Sequence, residues 1–360
     1  MCLFNFIKNL ICTDYRTEGV KMKEYVILAV SIVGILLCSC SKTREITDMA
    51  GRKVIIPKNL TKVAAPSPYG FAMLYSVAPE KIAGYVMNVS DEAKKYLVPA
   101  VHNLPMLGRI SNVEAFKEAN PELIIVWGDT RDPIHQPSEE RLAQLGIPHV
   151  YVCVGDLADL PDYPAAYEFM GKLMNEKRRA AKLADYCRDM LKEVDEVMTK
   201  TAGTERPKVY YAEGPEGLQT EYNDSLHVHI LKLLGDLNVR KGKTTSHGGM
   251  EPITVKEVEA YQPDVILAMN KDFAQNVYSD PKWKNVKAVK DKKVFLVPSL
   301  PFNWFDRPPS FMRILGTKWV MSLVYPDTYK VDMVKETIKF YKLFLDVKIT
   351  EEDAKAIMHL

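Results

Sequence analysis

One short pattern occurs twice in the chain and limits the folds open to it: a helical stretch, a proline, an acidic residue and a run of apolar residues. The first copy spans 113–125 around Pro121, and the second spans 255–266 around Pro263. Short, continuous apolar runs bounded by turn residues are typical of strands buried on both faces, as in a parallel sheet covered by helices. The repeat therefore predicts two α/β units of like construction.

The same alternation extends along the rest of the chain. Short apolar runs that we predict as strands are 62–65, 82–84, 123–127, 149–153, 208–212, 264–268 and 293–297. Helical stretches separate most of them, which favours parallel pairing over hairpins. We therefore expect an α/β fold of two doubly wound, Rossmann-like lobes joined by one long α-helix.

The joining helix is predicted over 175–200, which contains no Gly or Pro and places Ala181, Ala184, Leu191 and Val194 at helical spacing. At 1.5 Å per residue it would be about 38 Å long, enough to run along both lobes. The predicted domains are an upstream extension and lipoprotein signal peptide (1–40), an N-terminal α/β lobe (41–165), a helical connector that includes the long helix (166–205) and a C-terminal α/β lobe (206–360).

The N-terminal region looks like an export signal. Residues 21–41 read KMKEYVILAVSIVGILLCSCS, a basic start followed by an apolar run that is short for a membrane span but suits a secretory signal. Met22 opens a complete signal by itself, so we expect it to be the true start. Leu37 and the small Ser39 before Cys40 resemble a bacterial lipobox, which implies acylation of Cys40 and a membrane-anchored, exported body. The alternative is a plain signal peptide or membrane anchor.

Composition excludes some classes of partner and site. The formal net charge of +2, without a basic run, gives no reason to expect nucleic acid. Outside the N-terminal region the cysteines are Cys153 and Cys187, which could pair in an exported protein but are expected to be buried free thiols. His227 and His229 are two apart on a predicted helix and point to different faces, so we interpret them as a surface pair.

Catalytic signatures are missing from the sequence. It contains no G-x-S-x-G, CxxC or HExxH motif, and no G-x-G-x-x-G follows a strand. We therefore predict no catalytic residues, no metal ligands and no resident cofactor.

Ligands of doubly wound lobes bind outside the carboxyl ends of the strands. These ends are rich in aromatic and charged residues, which suit a large, flat or chelated anionic ligand through stacking and bidentate hydrogen bonds. For any one of these residues, loop packing or a surface ion pair is the alternative. The candidate ligand-binding residues are Tyr69, Trp127, Arg131, Tyr211, Glu213, Trp304 and Arg307.

The segment 301–310 is the most specific of these stretches. Tandem prolines, Pro308 and Pro309, restrict the backbone just before a predicted helix. That rigidity would hold Trp304 and Arg307 at a cleft. Ser310 could cap the helix instead of contacting a ligand.

Several segments together carry a family resemblance. They are ITDMAGRKVIIP at 46–57, the two proline–acidic–strand repeats, VYYAEGPEGL at 209–218, and WFDRPPS at 304–310 followed by LGTKW at 315–319. Over roughly 46–325 the chain resembles the substrate-binding lipoproteins of ABC transporters in the iron-complex (siderophore or haem) and cobalamin class, of the helical-backbone type. The last two segments resemble a branch that also holds oxyanion binders similar to molybdate-binding proteins.

The resemblance implies a monomeric carrier, not an enzyme, that captures an iron complex between its lobes and delivers it to a membrane permease driven by an ATPase. It also implies docking through one exposed glutamate per lobe. Glu114 matches the family position in the first lobe. In the second lobe Lys256 stands at the equivalent place and Glu257 beside it, so Glu257 is the candidate there.

Other functions stay open at this point. The ligand could be cobalamin or a molybdate-type oxyanion instead of a ferric siderophore or haem. From other classes of protein, an exported metal-dependent enzyme on a two-lobe scaffold or a non-transport adhesion or sensor lipoprotein would also fit an exported α/β chain.

Overall fold

The structure is a computed structural model that describes residues 42–128, 136–152, 159–245 and 248–360. Its strands are β1 (Thr43–Thr47), β2 (Lys53–Pro57), β3 (Val63–Ala64), β4 (Leu123–Trp127), β5 (His149–Val152), β6 (Val209–Ala212), β7 (Gln219–Thr220), β8 (Glu251–Pro252), β9 (Val265–Ala268) and β10 (Val294–Leu296).

The α-helices are α1 (Pro68–Val77), α2 (Asp91–Lys94), α3 (Val113–Ala119), α4 (Gln136–Leu145), α5 (Tyr163–Met174), α6 (Lys177–Lys200), α7 (His229–Leu233), α8 (Val255–Tyr261), α9 (Lys271–Asn276), α10 (Lys287–Lys290), α11 (Met312–Val324), α12 (Met333–Phe340) and α13 (Glu351–Ile357). Short 3₁₀ turns occur at Pro79–Lys81, Pro99–Val101, Leu160–Asp162 and Leu226–Val228, and a π-helical turn at Tyr341–Leu345.

The first half of the described chain is built on a parallel sheet with the strand order β3-β4-β5. All residues of β4 are buried, as its continuous apolar sequence predicts. Helix α1 packs on β4 and α5 packs on β5. The strand predicted over 82–84 is reduced to a single bridge between Ile82 and Val63. At Gly84 the backbone of Pro105 approaches closely, since an added Cβ would lie 2.6 Å from the O of Pro105.

The second half repeats this construction with a parallel sheet in the order β10-β9-β6. Helices α9 and α10 pack on β9. Two smaller two-stranded sheets, β1-β2 and β7-β8, lie outside the parallel sheets. The α/β class with parallel sheets is therefore confirmed, whereas the domain boundaries stay a prediction.

The long helix predicted between the two repeats is α6, with 24 residues and a length of about 36 Å. Its buried face packs against α5 and α11. At the turn between α5 and α6, an added Cβ on Gly171 would lie 2.4 Å from the Cβ of Ala180, so the helices approach closely. Cys187 on this face is a buried free thiol, as expected, and Cys153 lies outside the described residues.

A buried lysine fastens α6 to the C-terminal helices. The Nζ of Lys318 on α11 lies 2.8 Å from Glu193 Oε1 on α6 and 2.9 Å from Glu336 Oε1 on α12. Tyr329 donates a hydrogen bond to the second oxygen of Glu193 at 2.6 Å, and Tyr186 donates one to Glu336. Because both carboxylates are partnered, the buried ammonium group is compensated and the three helices are held together.

Segment 301–310 leads from β10 to α11 and lies at the carboxyl end of the second sheet. The backbone N–H of Trp304 donates to the O of Pro298 at 2.9 Å. The hydroxyl of Ser310 accepts a hydrogen bond from the backbone N–H of Met312, the first residue of α11, at 3.1 Å, whereas the N-cap position is held by Phe311. Within the described ranges, none of the helices combines the length and the apolar character needed to cross a membrane.

The contact between α11 and segment 301–310 predicts a stability effect at Gly316. An added Cβ there would lie 1.8 Å from the backbone O of Trp304, so we expect Gly316→Ala to lower the free energy of unfolding by about 2 kcal/mol or more. Chemical denaturation measures this. Gly146→Ala is the control, because Gly146 has open space around its Cβ position and a positive φ of 66°, and should cost only about 1 kcal/mol. Equal losses in the two variants would contradict the close contact.

Candidate functional site

The two parallel sheets bring most of the predicted ligand-binding residues to their carboxyl ends. Trp127 ends β4, and Tyr69 lies in the first turn of α1, directly after β3. In the second sheet Tyr211 belongs to β6 and Glu213 follows it, while Arg307 lies beyond β10. Since parallel strands end at the same edge, these side chains gather at two edges where the fold class places its ligands.

The first edge carries an aromatic cluster, formed by Tyr69, Trp127 and Tyr163. The rings of Tyr69 and Trp127 meet edge to face, with centroids 4.8 Å apart and planes at 89°. Tyr69 donates a hydrogen bond to the hydroxyl of Tyr163 at 2.7 Å, and Tyr163 donates one to the backbone O of Ser310 at 3.4 Å. All three side chains are buried. The aromatic cluster therefore connects the first sheet to segment 301–310.

Burial fixes the protonation of the two tyrosines. It raises the pKa of Tyr69 well above its usual value, and Tyr163 raises it further. Burial also raises the pKa of Tyr163 to about 12, although the Arg313 guanidinium counteracts it. Both hydroxyls thus stay protonated at neutral pH and act as donors. Tyr163 is not among the predicted residues. One sequence signal could have identified Tyr163: it follows β5, the third strand of the first sheet, as Tyr69 follows β3.

The second edge is organised around Arg307. Its Nε donates to Glu213 Oε1 and its Nη2 donates to Glu221 Oε1, each at 2.6 Å. The two carboxylate side chains are fully buried, whereas Arg307 is 19% exposed. With the neighbouring charged residues these side chains form what we call the acid–arginine cluster: Glu213, Glu221, Asp306, Arg307 and Arg313.

Asp306 connects the two arginines of this cluster to a histidine. Its Oδ1 accepts from Nη2 of Arg313 at 3.4 Å, and its Oδ2 lies 2.7 Å from Nδ1 of His227. Arg313 is fully buried and also donates to the backbone oxygens of Phe305 at 3.0 Å and Leu226 at 2.7 Å. The expectation that His227 belongs to a surface pair is therefore wrong. A 3₁₀ turn ahead of α7 directs its ring towards Asp306.

Glu221 is a residue that sequence reasoning missed. It follows β7, and its Oε1 also accepts the backbone N–H of Met250 at 2.9 Å. An added Cβ on Gly249 would lie 1.9 Å from that oxygen, so only glycine fits there without a shift of its neighbours. Its partner Arg307 lies 86 residues further along the chain, and no local motif marks the pair.

The protonation of Glu213 is strongly perturbed. Burial raises its pKa, Arg307 lowers it in part, and the neighbouring Glu221 carboxylate raises it again, to about 8. Glu213 is therefore largely protonated at neutral pH.

Tyr211 lies beside the acid–arginine cluster. Its ring centroid is 4.6 Å from that of Phe305. Its buried hydroxyl has no hydrogen-bond partner among the described residues. Burial raises the pKa of Tyr211 well above its usual value, and the nearby Asp306 carboxylate raises it further, so Tyr211 remains a donor. A buried donor without a partner is unusual and marks a position where a ligand or water would be accepted.

Trp304 occupies a different environment from the other predicted residues. It is fully buried, and its indole N–H donates to the backbone O of Leu300 at 3.4 Å. Gly316 of α11 packs against its backbone. Its predicted contact with a ligand stays a prediction. Arg131 and the lipidation candidate Cys40 lie outside the described residues.

The two candidate docking glutamates differ in their surroundings. Glu114, in the first turn of α3, has an 84% exposed side chain and a surface ion pair with Lys117 at 3.3 Å. Glu257 is exposed but caps α8, accepting hydrogen bonds from the N–H and hydroxyl of Thr254 at 2.8 and 2.7 Å. These hydrogen bonds lower the pKa of Glu257. Both docking roles stay predictions.

The described chain also holds a cavity away from the two sheet edges that carry the candidate site. This cavity of about 550 Å³ is lined by Arg206, Lys208, Asp264 and Lys293, which precede β6, β9 and β10. It therefore lies at the end of the second sheet opposite to the candidate site. Among the described residues, no group of three or more His, Cys, Asp or Glu side chains is arranged to hold a metal ion.

Comparisons with known proteins agree with this architecture. The family model described as "Periplasmic binding protein" matches residues 71–300. A solved ABC transporter solute-binding protein from Sulfurospirillum deleyianum superimposes with a TM-score of 0.82 at 33% identity, covering 88% of this chain and 99% of that one. The matched family consists of solute-binding transport proteins rather than enzymes, and such proteins bind a transported solute in place of a resident cofactor.

Two curated relatives have named ligands. The chain is 23% identical to the molybdate-binding protein MolA of Haemophilus influenzae, over 92% of this chain and 99% of that protein. It is 22% identical to the high-affinity heme uptake system protein IsdE of Staphylococcus aureus, over 78% of this chain and 91% of that protein.

The raised pKa of Glu213 predicts a pH-dependent stability. The unfolded chain releases this proton near pH 4.5, whereas the folded chain keeps it to about pH 8. The free energy of unfolding should therefore fall as pH rises between these values, by at most about 1.4 kcal/mol per pH unit. Glu213→Gln should lack this component, and exposed Glu216→Gln in the same loop should retain it. Denaturant unfolding at several pH values measures the difference, and parallel profiles for wild type and Glu213→Gln would contradict it.

Proposed function

The chain belongs to the periplasmic binding protein family, whose members bind the solutes of ABC transporters, and from this premise we propose that its solute is a small oxyanion of the molybdate type. The solute would bind between the carboxyl ends of the two parallel sheets. The protein would then deliver it to a membrane permease driven by an ATPase.

The observation that carries this proposal is that the described aromatic side chains at the two sheet edges pack against other aromatic rings and leave no ring face free for a ligand. Tyr69 and Trp127 contact each other and are nearly fully buried, and the ring of Tyr211 packs against Phe305. A flat macrocycle needs exposed aromatic faces to stack upon. A small oxyanion needs hydrogen-bond donors instead, which Arg307 and the Tyr211 hydroxyl can supply.

The similarity to MolA supports the same ligand class, because it extends over almost the full length of both chains. At 23% identity, the similarity by itself does not identify the ligand-binding residues of this chain. The proposal therefore depends on the donors and the closed aromatic rings in this chain.

An iron complex, ferric siderophore or haem, is the second candidate. The similarity to IsdE favours it, as does the number of aromatic side chains at the two sheet edges. Binding would require Tyr69 and Trp127 to separate and expose their faces. The iron-complex expectation from the sequence stays a prediction on these grounds.

Delivery to the permease is proposed to use Glu114, since its side chain is exposed and paired only at the surface with Lys117. Glu257 is the weaker candidate because it already caps α8. Acylation of Cys40, which would hold the body on the periplasmic face of a membrane, is proposed from the lipobox alone.

Ligand identity is decided by titrating the purified protein with molybdate, tungstate, haem and a ferric siderophore. We expect saturable calorimetric binding of molybdate and tungstate, with sulfate as the matched oxyanion control for selectivity. The four tryptophans provide a second, fluorescence readout. Saturable binding of haem or siderophore without binding of the oxyanions would contradict the proposal and favour the second candidate.

If Glu114 docks on the permease, a substitution there should reduce uptake of the solute without changing the affinity for it. Glu114→Arg should leave solute affinity unchanged but lower uptake by cells carrying the permease on the order of tenfold, because a like charge would face the permease arginines. Glu118→Arg, an exposed change on the same helix, should leave uptake near the wild-type level. Unchanged uptake in Glu114→Arg would remove this residue from the docking surface.

A further inference from the structure

Arg307 donates hydrogen bonds to two buried carboxyl groups, although one negative charge would neutralise it. Building on the proposed function, we propose that Glu213 and Glu221 are positioning residues that aim Arg307 at an anionic ligand and hold one proton between them, which sets the charge that the ligand meets. Neither residue would touch the ligand. The ligand would instead meet the remaining N–H groups of Arg307 and the hydroxyl of Tyr211.

The hydrogen bonds of Arg307 determine which donors remain available. Nε is committed to Glu213 and Nη2 to Glu221. No described residue accepts from Nη1, and this atom is not among the buried atoms that lack a partner. Since the side chain is 19% exposed, its accessible part includes Nη1. A guanidinium is planar and rigid, so two anchored nitrogens fix the direction of the third.

The count of buried oxygens supports a shared proton. Glu213 Oε2 and Glu221 Oε2 are buried and have no hydrogen-bond partner among the described residues. A proton between them would supply the missing hydrogen bond to both oxygens, and burying polar atoms without such a bond is costly. With that proton present, the two carboxyl groups carry one negative charge and Arg307 balances it.

The remaining charges near the pair are also balanced. Asp306 lies between the two arginines: its Oδ1 is 3.4 Å from Nη2 of Arg313, and its Oδ2 is 3.5 Å from Nε of Arg307 and 2.7 Å from Nδ1 of His227. The titratable and charged groups around the two carboxyls are Tyr210, Tyr211, His227, Asp306, Arg307 and Arg313. The pKa values of both tyrosines are raised by burial. These tyrosines therefore do not lose protons in the same pH range as Glu213.

Loss of the shared proton adds one negative charge beside the proposed anion site. The pKa of Glu213, raised by burial to about 8, places this loss in a range where molybdate does not change its own charge. A unit charge a few ångströms away in a partly buried site changes affinity on the order of tenfold or more. Anion binding should accordingly weaken between pH 7 and pH 9.5.

The test compares the pH profiles of molybdate affinity, by calorimetry, in wild type, Glu213→Gln, Glu221→Gln and the exposed control Glu216→Gln. Wild type and the control should lose affinity on the order of tenfold between pH 7 and pH 9.5. Glu213→Gln and Glu221→Gln should give flat profiles, because glutamine still accepts from Arg307 and a single carboxylate leaves the site neutral throughout. Parallel losses in all four proteins would overturn the proposal.

A second measurement does not depend on the ligand and separates this proposal from the proposed function. Carboxyl carbon shifts of Glu213 and Glu221, measured by NMR as a function of pH in wild type, should show one proton leaving the pair near pH 8. If both carboxyls are already ionised at pH 6.5, the shared proton is wrong. If the proton is present but no oxyanion binds, the proposed function fails while the arrangement of the pair stands.

Discussion

The hydrogen bonds of Arg307 with Glu213 and Glu221 are the interactions on which the carboxyl end of the second sheet depends. The two carboxyl groups come from separate places, Glu213 from the end of β6 and Glu221 from beyond β7. Segment 301–310 is thereby attached to both. Removing one partner of a buried ion pair typically costs about 3–5 kcal/mol, because the other charge stays buried without compensation. This arrangement therefore fixes the position of the segment as well as the direction of Arg307.

The same segment contacts α11 through Arg313 and the aromatic cluster of the first sheet through Ser310. Arg313 donates hydrogen bonds to Asp306 and to the backbone O of Phe305, and the backbone O of Ser310 accepts a hydrogen bond from the hydroxyl of Tyr163. Helix α6 adds a second connection through Lys318. The two edges that would face a solute are thus connected by buried hydrogen bonds and by a continuous helix, which favours a site that is largely formed before the solute arrives.

A carrier has to bind its solute and release it again. In the acid–arginine cluster most donors are already used inside the protein, so few are left for a ligand. An anion would then be held by a small number of directed hydrogen bonds rather than by uncompensated positive charge. Such a site selects by geometry and charge, and its affinity can change with one proton.

The sequence by itself determined the elements whose signals are local. The apolar run 123–127 predicts β4, and the stretch free of Gly and Pro at 175–200 predicts α6 within two residues of its observed start. Only the tertiary structure decided the partners of Arg307 and the burial of Trp304. Periodicity and turn residues act over a few neighbours, whereas the pairing of buried charges depends on which distant segments the packed sheets bring within hydrogen-bonding distance.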